Sequence, residues 1–407
     1  MEQMKFEQGD LQQEAPKRIK KRQPPRRRLR ALAVVAAAVL AVVAAFVLLD
    51  RTAFDGLRRS IAYMQAEKDE SGCARLFQYS SDGSSRYADL NGSLLVASAN
   101  EITLLDDKGN AVYHTALQFS QVALSAADGQ AAVYEIGGRT LYLLNSRGLV
   151  QQMDLEGDIF AVQMGQGGRF AVTLKKTGYK TTVSVYNGKG EPLYDFNSAQ
   201  SYLLTAAVSE NGKYMAAAAM SQDNGSFVSS LQIYKLTSET MAAEGTLEGG
   251  VYAMGTVGGR FCAATDKALY FVKTDGTVTS YDFQGASLSR CGLGADKFAA
   301  VLLENYASGG QTHLAIVNAT GEEISSMAVD SEVLDLSAAG RYLAVLYSNK
   351  LVIYDQKLRE CAVLEDVSSA RRVLMRSDGS AVLIQHLTVH GHAPPAYICR
   401  KKGGECV

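Results

Sequence analysis

Three histidines, His386, His390 and His392, stand within the stretch HLTVHGH, and imidazole is the commonest protein ligand for a metal ion. A zinc site takes three or four such groups at characteristic spacings. The spacing here matches no established zinc pattern, and no nearby Asp, Glu or Cys completes the set. The plainer reading ends a strand at His386 and leaves His390 and His392 in a solvated loop, so neither a metal nor a cofactor is expected. Serine and aspartate occur together in SAADGQ and RSDGS, without a histidine at any repeated offset. No G-x-S-x-G elbow, H-E-x-x-H pair or Walker loop is present. Asp106–Asp107 reads as a hairpin turn rather than a carboxylate pair.

The elements that would have to position any site repeat along the chain. Leu336–Asp355, LSAAGRYLAVLYSNKLVIYD, alternates turn residues with short β-branched and aromatic runs, the mark of antiparallel strands. Seven relatives begin at Ala88, Leu124, Gln163, Val208, Gly255, Gly292 and Met375. Their shared turn carries Gly92, Gly129, Gly168, Gly212, Gly259, Gly340 and Gly379, with Ala295–Asp296 in place of glycine in one unit. A second turn recurs as DDKG, NSRG, NGKG, KTDG and NATG, and Asn or Asp before Gly suits hairpin closure.

These units resemble the S-x-(D/N)-G-(K/R)-(Y/F)-h-A signature of WD40-like and related bacterial β-propellers, at a spacing of roughly 35–47 residues that brackets a four-stranded blade. The resemblance covers most of Cys73–Val407. The chain has no tryptophan, so the Trp-Asp dipeptide and the tryptophan docking motif of quinone-binding propellers are missing. The layout is similar to an uncharacterised family of membrane-anchored bacterial propellers. The expected fold is all-β: an eight-bladed propeller, or seven-bladed if one weak unit is mis-registered, preceded by a single transmembrane helix. A pair of β-sandwiches or a β-helix explains the steady long period less well. The last unit ends after a third strand, AYICR, so RLFQYS at Arg75–Ser80 is expected to complete it and close the ring.

Residues 1–30 carry ten Lys and Arg against four acids, and the whole chain has a net charge of −1. The mildly acidic remainder argues against nucleic acid as a partner. Ala31–Leu49 is uncharged and apolar, long enough to span a hydrocarbon core of roughly 30 Å. With KRIKKRQPPRRRLR before it, the positive-inside rule puts the tail in the cytoplasm and the propeller outside. The expected organisation is a basic tail at 1–30, a transmembrane helix at 31–49, a juxtamembrane stalk at 50–72 and the propeller at 73–407. Phe54, Leu57, Ile61 and Met64 give the stalk an apolar stripe at helical spacing. The lipid bilayer is thus one expected partner.

An oxidising location permits disulfides. Pairing RLFQYS with AYICR brings Cys73 near Cys399 and Cys406, a candidate clasp at the seam. The alternative is that the cysteines stay free, as small hydrophobes within strands.

Loops joining the second and third strands of every blade emerge on one face. Four are minimal, and four are extended: Lys175–Thr181, Ser221–Ser229, Glu304–Gln311 and His386–Pro395. They carry Tyr179, Phe227, Tyr306 and His390, which makes that face the candidate binding surface. The expected role is recognition or scaffolding of an envelope or cell-surface protein. The alternative is an envelope enzyme, a carbohydrate-active hydrolase or lyase, using carboxylates from several blades around the channel. A sensor reporting to the tail is a third reading, weakened by the lack of an output domain beside it.

Overall fold

The computed structural model describes residues 74–78, 84–223, 226–305, 310–385 and 395–399. They form eight four-stranded antiparallel sheets. Seven sheets are runs of four consecutive strands, at 86–116 (blade 1), 122–154 (blade 2), 158–198 (blade 3), 202–248 (blade 4), 251–282 (blade 5), 287–329 (blade 6) and 333–365 (blade 7). The eighth takes its first three strands from Ala370–Met375, Ala381–Gln385 and Pro395–Cys399 and its fourth from Ala74–Gln78. The chain is a β-propeller.

Blade 7 shows why the sequence reads as it does. Its strands are Val333–Ala339, Tyr342–Tyr347, Lys350–Asp355 and Glu360–Glu365. Successive residues of a strand point to opposite faces. Leu343 and Val345 therefore pack against blade 6, while Ala344 and Leu346 pack against blade 8. A sheet covered on both faces needs a continuous apolar run, which is what YLAVLY supplies.

The same arrangement repeats around the ring. One buried apolar cluster lies between each pair of neighbouring blades, eight in all among the described residues. The last joins Leu94 and Val96 of blade 1 to Val382 and Ile384 of blade 8. Closure is also made by backbone pairing: Ala74 stands opposite Ile398, and Gln78 opposite Pro395. The spare strand completes the final sheet as its sequence implied, and the closed ring leaves no sheet unpacked.

All seven turn glycines adopt positive φ. At Gly340 the requirement is twofold, since φ is 56° and a Cβ would lie 3.1 Å from the Ser377 backbone of the next blade. In blade 6, where Ala295–Asp296 replaces the glycine, the Asp296 N–H donates to the Gly340 carbonyl at 3.0 Å. The Asp106 carboxylate accepts from the N–H groups of Lys108 at 2.9 Å and Asn110 at 2.8 Å, so this residue does sit in a hairpin turn.

Among the described residues no helix is long and apolar enough to cross a membrane. The tail, the apolar segment 31–49 and the stalk lie outside those residues.

Candidate binding face

Antiparallel order fixes two faces. The turns between second and third strands, together with the connections from one blade to the next, form the loop face. The first-to-second and third-to-fourth turns form the opposite face. The large apolar side chains that are exposed among the described residues divide cleanly between two places. Val112, Leu149, Leu193, Met241, Ile324 and Val363 lie on fourth strands, one to a blade. The rest, Ile136, Phe160, Tyr179, Tyr202 and Tyr252, all lie on the loop face, in the four adjacent blades 2 to 5.

Two of these rings owe their position to β-bulges. The register of the first strand in blade 3 skips between Ile159 and Ala161, which leaves Phe160 unpaired. In blade 5 it skips between Val251 and Ala253 and leaves Tyr252, which is 72% exposed. A bulge re-aims the extra residue away from the ladder. The same skip recurs in blades 4, 6, 7 and 8, at Leu204, Ser289, Leu334 and Arg371.

Tyr179 sits in the turn between Phe170–Lys175 and Thr181–Tyr186, its N–H donating to the Lys176 carbonyl at 3.2 Å. Lys180 places its ammonium 5.1 Å from the centre of the Tyr202 ring while donating to the Gln200 carbonyl at 2.7 Å. This cation–π contact fixes the ring without covering it. Ion pairs flank the patch: Arg139 with Asp158 at 2.9 Å, and Lys176 with Glu156. The hydrogen bond from Lys176 holds the Glu156 carboxyl below its ordinary range. The patch is thus apolar rings framed by neutralised charge, the composition of an interface core with a polar rim.

Of the residues singled out in the sequence, Tyr179 belongs to this patch. Phe227 falls in the strand Ser226–Lys235, its side chain outside the described residues, as are Tyr306, His386, His390 and His392. The segment Ser221–Ser229, expected as a loop, is mostly strand, because Tyr214–Asp223 and Ser226–Lys235 continue their pairing to Asp223 opposite Ser226. Ser221 and Gln222 are exposed, so the pairing runs on beyond the covered part of the sheet. Phe160, Tyr202 and Tyr252 escaped sequence reading because each sits at the start of an inner strand, where an aromatic looks like core. For Phe160 and Tyr252 the only signal was an extra residue in the alternation, while Tyr202 is paired with Met220 and gave none.

Cys73 and Cys406 lie outside the described residues, and Cys399 ends the third strand of blade 8. Cys361 is disulfide-bonded. Cys262 and Cys291 are free thiols facing each other between blades 5 and 6. Burial pushes the Cys291 thiol up to about 11 and Cys262 well above its usual value.

No cluster of potential metal ligands occurs among the described residues. Described carboxylates whose proton affinity departs from the ordinary include Asp106, Asp275, Glu322 and Asp355, all held low and all in third-to-fourth turns rather than in the channel. Two cavities among the described residues open on the opposite face. One, of 810 Å³, is bounded by turns including Glu210, Lys297 and Thr320, and the other, of 690 Å³, is the mouth of the central channel.

Residues 73–362 match the model of a family of unknown function, DUF5711. The chain belongs to this family. No curated protein matches it. Among solved structures it is similar to the C-terminal WD40 domain of Sif2, with a TM-score of 0.57, 12% identity, and coverage of 82% of this chain and 99% of that one. It is also similar to BamB from Moraxella catarrhalis, at a TM-score of 0.49 and 12% identity over 80% of this chain and 99% of that one. Apo AztD from Citrobacter koseri gives 0.49 and 12% identity over 74% and 91%. At such identities the likeness to Sif2 speaks for the propeller fold alone.

Proposed function

We propose that this DUF5711 member is a membrane-anchored propeller that recognises a protein partner at the outer side of the cell membrane, using the loop face of blades 2 to 5. The observation that carries this reading is the confinement of Ile136, Phe160, Tyr179, Tyr202 and Tyr252 to one face of four adjacent blades. Aromatic anchors in a polar rim are the composition that protein interfaces favour. A ring needing only stability has no use for exposed rings where bulges turn them outward. The apolar run at Ala31–Leu49 and the basic residues before it support the anchor and the outward orientation.

The test places a photo-crosslinking amino acid at position 252 on the loop face, or at position 363 on a fourth strand, in the full chain in its native membrane. The reading expects one discrete adduct from 252 that disappears when Phe160 and Tyr202 are changed to serine. Adducts that are identical from both positions, or no adduct from 252, would remove the loop face from consideration. Protease treatment of intact spheroplasts checks the orientation, since the propeller should be digested while the tail is protected.

A further inference from the structure

The first strands line the central channel in levels, and one level near the loop face sorts its residues by charge. Blades 2 to 5 place Ala123, Ala161, Thr205 and Ala253 there, each opposite a second-strand residue turned toward the following blade. At the same register position, blades 6, 8 and 1 place Arg290, Arg372 and Arg86, and blade 7 places Asp335. Arg86, Asp335 and Arg372 line one cavity of 290 Å³ between the first strands of blades 7, 8 and 1. Asp335, 14% exposed, accepts from the Val373 N–H at 2.9 Å and from Arg372 Nη1 at 3.4 Å. Arg372 keeps 50% of its side chain in solvent. Arg86 is exposed, its Nη1 donating to the Ser84 carbonyl at 3.0 Å, and half-buried Arg290 reaches the Val333 carbonyl of blade 7 at 3.4 Å. A guanidinium has five N–H donors, so each of the three keeps donors that solvent reaches.

Beyond residue 30 the chain carries more acids than bases, yet here three guanidiniums meet one carboxylate. Arg371, the exposed bulge residue beside this level, adds a positive charge, and exposed Glu332, just before the first strand of blade 7, offsets it. The excess stays positive and attracts an anion. Planar, forked guanidiniums pair best with carboxylate or phosphate oxygens. Asp335 at the edge of the cavity repels a doubly charged phosphate more than a single carboxylate. The other half of the level favours a chain molecule. Its alanines and threonine are short and half-buried, and the rings of Phe160, Tyr202 and Tyr252 stand beyond them on the loop face. An extended segment crossing the channel can rest on the rings at one end and pair with arginine at the other. We infer that the loop-face end of the channel takes the acidic side chains of an extended peptide segment, with carboxylates on Arg86 and Arg372 and Arg290 adding attraction. The inference rests on the loop-face reading for the partner being a protein, and it adds that partner's chemistry: acidic residues next to apolar ones.

The test photolyses a hexaglutamate peptide carrying one benzophenone with the full chain in nanodiscs of uncharged lipid, and maps the adducts by mass spectrometry. Mapping separates the channel from the basic tail, which also attracts acid. Adducts are expected on the first strands of blades 1, 7 and 8, and the double variant Arg86→Gln, Arg372→Gln should weaken capture there about ten-fold or more, as loss of hydrogen bonds between charged groups implies. Arg86→Gln alone leaves the Asp335–Arg372 pair intact, should weaken capture several-fold, and decides the matter if the double variant fails to fold. The inference is overturned if adducts are confined to the tail, if Arg86→Gln captures the peptide unchanged, or if inorganic phosphate displaces the peptide as well as unlabelled hexaglutamate does. Failure of the loop-face reading is scored apart from this, by the adduct from position 252. A 252 adduct that persists in both arginine variants, with no hexaglutamate captured in the channel, keeps the loop face and overturns the inference.

Discussion

Arg376 and Asp89, 287 positions apart in the chain, meet across the closing seam of the ring, with Nε and Oδ1 2.7 Å apart. Asp89 also accepts from the Gly92 N–H at 3.3 Å through its other oxygen, so one carboxylate ties a turn of blade 1 to the last blade. Replacing Asp89 with alanine would leave a guanidinium buried without a counter-ion. The expected loss of stability is about 3–5 kcal/mol, read as a lower midpoint in urea denaturation. Replacing both residues with apolar ones of similar size should cost much less. An unchanged midpoint for Asp89→Ala would mean that Leu94, Val96, Val382 and Ile384 hold the seam unaided.

The architecture was legible because it is periodic. Each blade repeats a turn glycine with positive φ and two-sided apolar strands, and both traits survive in residue type. Even the spare strand at Ala74–Gln78 could be paired with Pro395–Cys399 by counting what the last blade lacked. The patch was legible only at Tyr179, which lies in a visible loop. Phe160 and Tyr252 depend on bulges, which shift register by one residue and reverse the side a chain faces. The channel was illegible because Arg86, Arg290, Asp335 and Arg372 come from four blades, and no linear spacing relates them.

Two glycines in turns should respond unequally to alanine. Gly321 has φ of 85°, and a Cβ there would sit 2.9 Å from the Ser280 carbonyl oxygen of the neighbouring blade. Gly178 has φ of 92° with nothing within 4 Å of a Cβ. Both substitutions incur the left-handed backbone cost of roughly 1–2 kcal/mol, partly offset by a stiffer unfolded chain. Only Gly321→Ala adds a backbone clash, of about 1–3 kcal/mol. Thermal melts should therefore rank wild type, Gly178→Ala and Gly321→Ala in falling order. Equal losses would show that the blades shift to admit the methyl group.

Asp355 makes part of the stability acid-labile. Burial alone would raise its pKa, but the N–H of Arg359, its guanidinium and the N–H of Lys357 together hold it below 3.8. A carboxyl lowered in the folded state contributes stability that is complete above its unfolded value and fades as pH falls through the folded one. Asn at this position keeps a turn acceptor and loses the charge. The melting temperature of wild type should exceed that of Asp355→Asn at pH 7, and the gap should narrow below about pH 4. A gap that is constant from pH 7 to 3 would assign the difference to geometry rather than to charge.

The cysteines should separate by chemistry rather than by sequence position. Cys262 and Cys291 are free but enclosed between blades, and burial disfavours their thiolates, so iodoacetamide should reach them only after denaturation. Cys361 should be alkylated only after reduction, since it is already bonded. Of the six cysteines in the chain, this leaves Cys73, Cys399 and Cys406 as the expected partners in the crosslinked peptide. That joins blade 7 to the closing segments, a wider clasp than pairing within the seam alone. Peptide mapping of protein alkylated without reductant reads all three outcomes together. Modified Cys361 under those conditions would show that the ring is closed by strand pairing and packing with no covalent bond at this residue.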